Sequence, residues 1–414
     1  MKQSNNAKRP NRLRKRMNVI SNPRRVFLLL MIVLALVLLS ACSGASPTTG
    51  RLIVWHTWNE VEAPIIEQVL EDFQGLHPDI KLSVERIEYT TAFSTYVQAA
   101  RAGLGPDVMI GLESVYGHVL YENALTANAR ETAIDWSLFD PATLQSVQRD
   151  DATFVGVPIN AYVSILFYNT ELVDQPPTTL DELRATSEEG IKVGLPTTFF
   201  DSYWGVAGLG GSVFDGESFA DESETALRAW LEWLVALQDT PGAVLSQDIR
   251  ALVNGFSRGD LGVLVVTSLD LPGIEEALGA EQVNVALLPG YPTAQPFSNV
   301  EVMVINRASV QTQAAAELIN FVSNSAQQRK LAQSTSGRVP INPTVRLNPV
   351  LFPRVSVILQ QNQTAVIPTT QQDTLINQLI TNANPIYQQV LEGVISPEEG
   401  ARLIVEAVEI GLQE

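Results

Sequence analysis

Cysteine occurs once and histidine three times in the 414 residues of this chain. A single Cys excludes an intrachain disulfide framework. One Cys and three dispersed His (His56, His77 and His118) argue against a Cys/His zinc site, so the histidines are expected at the surface or in turns. There is no D-x-[DN]-x-[DN]-G calcium loop, no G-x-x-x-x-G-K-[ST] phosphate loop and no repeat of fixed period. Neither a metal nor a cofactor is expected. Positive charge is scarce: 27 Lys+Arg stand against 45 Asp+Glu. Nine of those 27 fall within residues 1–41, which hold no acidic residue, so the remainder of the chain carries −27. A body so acidic is a poor partner for nucleic acid or for anionic lipid held by charge.

What is present begins with an export signal. Val26–Leu39 is an unbroken apolar run behind a basic segment. It is short for a membrane span, which takes about 20 residues, and fits the core of a secretory signal. Leu39-Ser40-Ala41-Cys42 follows directly and resembles the bacterial lipobox. That resemblance implies cleavage before Cys42 and acylation of its sulfur. Residues 1–41 are then a signal peptide. Residues 42–50, small and turn-prone, form a flexible tether with a reach of about 15 Å. The mature chain is expected outside the cytoplasm, anchored by lipid in the periplasm or on the outer face of the cell membrane.

The body is long enough for two domains and, with 45% hydrophobic and 17% charged residues, is globular. Leu52–Trp55 reads as a strand. Ile66, Val69, Leu70 and Phe73 recur at helical spacing. Ile80–Tyr89 reads as a strand, Ala92–Arg101 as a helix and Pro106–Ile110 as a buried strand. This alternation is an α/β signature, and it places Trp58–Glu60, Tyr89–Thr90 and Gly111–Ser114 at one rim, beyond the strands' carboxyl ends. Further strands are expected at Val163–Tyr168, Gly262–Thr267, Gln282–Leu288 and Val300–Asn306. Helices are expected from Thr179, around Leu227–Leu234, over Ala314–Phe321 and from Pro397, where Ser396 is the N-cap.

Six segments taken in order resemble the extracellular solute-binding proteins of ATP-binding-cassette importers, family 1, the maltose and multiple-sugar type. They are residues 52–85, 103–125 (GLGPDVMIGLESVYGHVLYENAL), 156–173 (GVPINAYVSILFYNTELV), 255–268 (GFSRGDLGVLVVTS), 284–292 (NVALLPGYP) and 314–342. The resemblance implies a two-lobed periplasmic-binding-protein-like α/β fold of type II, with a mixed sheet flanked by helices in each lobe. The chain would cross between lobes near Val157–Asn160, Pro289–Pro296 and Gly337–Ile341. Lobe 1 is then 51–158 with 294–337, and lobe 2 is 159–293 with 338–414. The implied activity is capture of a carbohydrate or polyol between closing lobes by a non-enzymatic monomer, with delivery to a permease whose ATPase is a separate subunit.

Sugars are recognised by aromatic faces and by polar groups that pair their hydroxyls. Trp58, Asn59 and Glu60 match the family's first contact loop and equally suit a capping turn with Trp58 over the core edge. Glu113 and Ser114 match a second loop, but maltose binders place an aromatic and an aspartate there, which speaks against maltodextrin itself. Tyr162 stands where those binders have a carboxylate. Tyr203 and Trp204, with Phe200 as an alternative, match the aromatic loop of the second lobe. Ser268 and Asp270 stand where a stacking Trp is usual, and Asn299 and Glu301 where Gly-Gly is usual. Arg338 suits either a ligand acid or a hinge carboxylate, and the hinge carboxylate is the favoured partner. Trp55, Trp230 and Trp233 read as core. Two competing readings stay open: a surface-anchored glycoside hydrolase, which needs two flanking carboxylates, and a ligand sensor for a signalling partner.

Overall fold

The computed structural model describes residues 50–216, 218–333 and 337–412. The signal segment, Cys42 and the tether before Gly50 lie outside the described residues. Ten strands form one sheet: β1 (Gly50–His56), β2 (Ile80–Arg86), β3 (Val108–Glu113), β4 (Val157–Asn169), β5 (Val193–Pro196), β6 (Ala243–Ser246), β7 (Val263–Thr267), β8 (Val283–Ala286), β9 (Ser298–Ile305) and β10 (Val339–Pro340). Their order is β6-β5-β7-β4-β9-β3-β1-β2, with β8 and β10 also pairing to β4.

The first half of this sheet follows from the periodicities above. Helix Ala63–Leu76 joins β1 to β2, and helix Tyr89–Arg101 joins β2 to β3. Both strand pairs around β1 are parallel, the geometry that such crossovers give. Ile66, Val69, Leu70 and Phe73 are all buried in one core with helix Thr312–Ser323. The second strand ends at Arg86, three residues before its expected end. The Ile87 amide donates to the His56 carbonyl at 2.8 Å, closing the strand pair, and Tyr89 then opens the next helix.

β4 joins the two halves. All but one of its thirteen residues are buried, as its nearly continuous apolar run dictates. Val157–Val163 pairs antiparallel with β9, whereas Ser164–Tyr168 pairs with β7 and Leu166–Asn169 with β8. A strand of this length spans about 43 Å, enough to reach across both halves of the sheet. Over the second half, helices Ser223–Gln238, Asp373–Leu391 and Pro397–Gly411 share a core with Tyr203, Trp204, Trp230 and Trp233. Ser396 caps the last of these helices, its hydroxyl accepting from the Glu399 amide at 3.1 Å. Thr179 and Glu182 form a reciprocal capping box on helix Leu180–Glu188.

Two histidines depart from expectation. His56 and His118 are buried, because β1 and helix Ser114–Glu122 place them in the interior. Burial lowers the pKa of both, so each is held neutral. Among the described residues, no group of His, Cys, Asp and Glu is arranged to hold a metal ion, and no helix is long and apolar enough to cross a membrane.

Candidate ligand-binding site

A cavity of about 630 Å³ opens beyond the carboxyl ends of β1, β2, β3 and β7. Its volume is that of a small-molecule site, and its place is where open α/β sheets bind ligands. Thr57 and Asn59 follow β1, Tyr89 follows β2, and Glu113 ends β3. Tyr162 projects from β4, Asn299 and Glu301 from β9, and Asp270 from the turn after β7. Helix Phe199–Gly208 supplies Phe200 and Asp201 from its first turn, and helix Asp373–Leu391 supplies Asp373 and Asn377.

Two irregularities in the sheet aim the acidic wall. The β3–β9 register places Glu113 opposite Glu301 and then shifts between Val302 and Met303, which leaves Gly111 bulged. Gly111 has φ +91°, and a Cβ there would come within 2.4 Å of the Thr57 hydroxyl oxygen. Only glycine suits both conditions. That hydroxyl donates to the Gly111 carbonyl at 2.7 Å and fixes the loop after β1 to the bulge. The β4–β9 register shifts next to the same residue, between Glu301 and Val302. The two shifts therefore flank Val302, the residue directly after Glu301.

Glu301 is neutralised from within the protein. Arg338 grips it with two hydrogen bonds, Nε to Oε2 at 2.9 Å and Nη2 to Oε1 at 3.2 Å, and its Nη1 donates to Glu62. All three side chains are buried. The guanidinium also lies over the ring of Trp58, 4.0 Å from its centroid. Burial works against the charge of Arg338, but the two carboxylates outweigh it and raise its pKa. Burial raises Glu62 to about 7 despite the opposing pull of Arg338.

Glu113 is served by phenols instead. Its Oε1 accepts from Tyr89 at 2.9 Å and from Tyr162. Burial raises its pKa against those two hydrogen bonds, helped by the charges of Glu301 and Asp201. Asp270 is raised to about 6 by burial, opposed by a hydrogen bond from Thr267 at 3.2 Å and helped by Asp201. Asp201 is raised by burial and accepts from the Thr198 hydroxyl. Asp373 is raised to about 7 by burial and by the charge of Glu122. Phe200 stacks on Phe297 with centroids 4.6 Å apart and planes 16° apart, and Tyr203 stacks on the same Phe297 at 4.6 Å. One aromatic face is thus presented to the cavity and two rings back it.

Of the twelve residues expected to contact ligand, seven line this cavity: Asn59, Glu113, Ser114, Tyr162, Asp270, Asn299 and Glu301. Five do not. Trp58 is buried under Arg338, and Asn59 forms the capping turn, its Oδ1 accepting from the Val61 and Glu62 amides at 3.0 Å. Glu60 points to solvent and pairs with Arg86 at 3.1 Å. Tyr203 and Trp204 are core, because they sit in the second turn of their helix, below the cavity, while Phe200 and Asp201 in the first turn reach it. Ser268 is a staple: its hydroxyl donates to the Gly337 carbonyl at 2.6 Å and accepts from the Val163 amide at 3.3 Å. Arg338 pairs with buried carboxylates as expected. Sequence reasoning missed Glu62, Asp201, Asp373 and Asn377 as lining residues. Asp201 adjoins an aromatic loop already singled out, whereas no local pattern marks Asp373 or Asn377.

The fold recurs in known proteins. The GacH receptor of Streptomyces glaucescens, solved unliganded and in complex with acarbose, superposes with a TM-score of 0.76 at 19% identity, over 88% of this chain and 99% of that one. The maltose-maltodextrin binding protein of Alicyclobacillus acidocaldarius superposes with a TM-score of 0.70 at 23% identity, over 87% of this chain and all of that one. These likenesses show a two-lobed binding-protein fold. In sequence, the maltodextrin-binding protein of Bacillus subtilis is 23% identical over 344 residues, 74% of this chain and 78% of that protein. A maltotriose-binding protein of Pyrococcus abyssi is 25% identical over 144 residues, 34% of this chain and only 31% of the relative's length. The model of the bacterial extracellular solute-binding proteins matches residues 68–352, more than half of the sequence. Its members bind solutes for transporters and are not enzymes, and this chain belongs to that family of extracellular solute-binding proteins.

Proposed function

We propose that this chain is the lipid-anchored, extracytoplasmic binding component of an ATP-binding-cassette importer, and that it captures a carbohydrate in the cavity between two closing lobes. The observation that carries the carbohydrate reading is the wall itself. Carboxylates, phenols and amides (Glu113, Asp270, Tyr89, Asn299, Asn377) surround a space of about 630 Å³, and Phe200 offers one aromatic face. Such a wall pairs hydroxyls on a ring's edge and stacks beneath its apolar face. Relatives named for maltodextrin and maltotriose support the same reading.

In this proposal lobe 1 comprises 51–158 and 294–337, and lobe 2 comprises 159–293 and 338–414. Ligand contacts made only in the closed form shift the population toward it. The closed form docks on permease subunits, with ATP hydrolysed by a separate partner. Cys42 carries the lipid that holds the complex to the membrane.

The test is calorimetric titration of the full-length, detergent-solubilised protein with a panel of mono- and oligosaccharides and polyols, alongside mass spectrometry of any ligand that co-purifies. Saturable binding of a carbohydrate supports the reading, and its absence across the panel overturns it. Mass spectrometry of the N-terminal peptide tests the anchor, which predicts an acylated Cys42 at the new N-terminus.

A further inference from the structure

Seven carboxylates but only two guanidiniums line the cavity. The charge of Arg338 is already taken by Glu301 and Glu62. Arg250 lies exposed at the rim. Glu88 lies at the rim too, 3.7 Å from Arg86. That leaves Glu113, Asp201, Asp270 and Asp373, none of which forms an ion pair among the described residues. They arrive from four different elements, yet they act on one another: the charge of Asp201 bears on both Glu113 and Asp270. Their few hydrogen bonds come from neutral hydroxyls, those of Tyr89, Tyr162, Thr198 and Thr267.

A second observation lies under the same wall. Asn160 is directly opposite Glu301 in the β4–β9 register and two residues from Tyr162, so it shares the face of the sheet that looks toward the cavity. It is 2% exposed, and neither its Oδ1 nor its Nδ2 has a partner. A buried amide left unpaired costs free energy that a hydroxyl or a bridging water recovers.

We infer that the cavity is built for an amine-bearing carbohydrate, whose ammonium group lies among Glu113, Asp201 and Asp270 while its hydroxyls serve the remaining amides and phenols. The inference rests on the carbohydrate reading above and narrows it. Closing the lobes on a neutral sugar strips water from several carboxylates with no cation to offset them, and removing water strengthens their mutual repulsion. An ammonium supplies three donors and the missing charge in one group, in a setting where charged hydrogen bonds are the strong ones. Asp201 is the specificity-determining residue, because it lines the cavity from the first turn of its helix and forms no ion pair among the described residues. The Thr198 hydroxyl and the helix N-terminus hold it in place.

The experiment titrates the full-length protein with three matched series of equal length: glucosamine oligosaccharides, their N-acetylated counterparts and malto-oligosaccharides. The expected result is tighter binding of the free amines than of the N-acetylated forms by about tenfold or more, the size of one charge-assisted hydrogen bond. Asp201→Asn then collapses that ratio toward one. The ratio is read within each variant, so a general loss of fold or affinity does not mimic the effect. Equal or tighter binding of the neutral series, or a ratio that survives Asp201→Asn, overturns the inference and leaves the carbohydrate reading standing. Failure of all three series to bind overturns the inference, and failure of the wider sugar and polyol panel overturns the carbohydrate reading itself.

Discussion

Glu113 and Glu301 lie directly opposite each other on β3 and β9, and each is satisfied by a different chemistry. Glu301 is bound by the guanidinium of Arg338, which also takes Glu62, while Glu113 accepts only from the phenols of Tyr89 and Tyr162. Both carboxylates line the cavity, but the first grouping is buried and the second is partly exposed. Arg338→Met should therefore destabilise the protein by about 3–5 kcal/mol, because two buried carboxylates lose their shared cation. Adding Glu62→Gln and Glu301→Gln to that variant should recover much of the loss, since no uncompensated charge remains. Urea denaturation of the single and triple variants checks this. Equal stabilities for the two would mean that Arg338 acts through packing on Trp58 rather than through charge.

Asp270 gives a prediction with a definite sign in pH. Its folded pKa is raised from 3.8 to about 6, chiefly by burial, so the folded state holds its proton more tightly than the unfolded state does. Its contribution is fully favourable below about pH 4 and is lost as pH rises through about 6. Asp270→Asn keeps an oxygen that can accept from Thr267 and removes the charge. The variant should match the parent near pH 4 and exceed it by up to about 3 kcal/mol at pH 7.5. Thermal melts of both proteins without ligand, taken across that range, provide the comparison. Taking the difference between variant and parent cancels the opposite trend from His56 and His118, whose folded pKa values are lowered.

Much of this architecture is legible in the sequence, for reasons that can be named. Ile66, Val69, Leu70 and Phe73 are spaced for one helical face, and each meets the core. β4 reads as an apolar run because both of its faces are buried. The rim of the site is legible because strand carboxyl ends are marked by local breaks, and Asn59, Tyr89, Glu113 and Ser114 follow those breaks. Residues that reach the cavity by tertiary packing alone are not legible. Asp373 and Asn377 line it only because their helix docks on Ser223–Gln238 and Pro397–Gly411. Tyr203 and Trp204 mislead for a related reason. Aromatic content locates the correct helix, but depth along its axis decides which turn meets the cavity.

That difference in depth separates two neighbouring substitutions. Trp204 is 1% exposed and packs edge-on against Trp230 with centroids 5.7 Å apart. Trp204→Ala should cost about 3–5 kcal/mol of stability through a large core cavity. Phe200 lies half-buried on the cavity wall, so Phe200→Ala should cost less stability and weaken ligand binding by about tenfold through loss of a stacking face. Chemical denaturation and titration calorimetry on both variants separate the roles. A Phe200→Ala protein that binds as tightly as the parent would remove this ring from the site.

Gly111 offers the sharpest backbone test. Its φ of +91° is one that side chains with a Cβ rarely adopt, and the added carbon would meet the Thr57 hydroxyl oxygen at 2.4 Å. Gly111→Ala should lose about 1–3 kcal/mol from backbone strain, with the close contact added to it. The bulge that Gly111 forms sets the direction of Glu113, and Thr57 ties the β1 loop to it, so the same change should also weaken ligand binding. Gly111→Ala combined with Thr57→Ala relieves the contact but not the φ strain. It should therefore recover part of the stability and none of the hydrogen bond that fixes the loop. Comparing urea midpoints for the single and double variants divides the loss between steric contact and backbone conformation. A single variant as stable as the parent would mean that the bulge relaxes without cost and does not set the direction of Glu113.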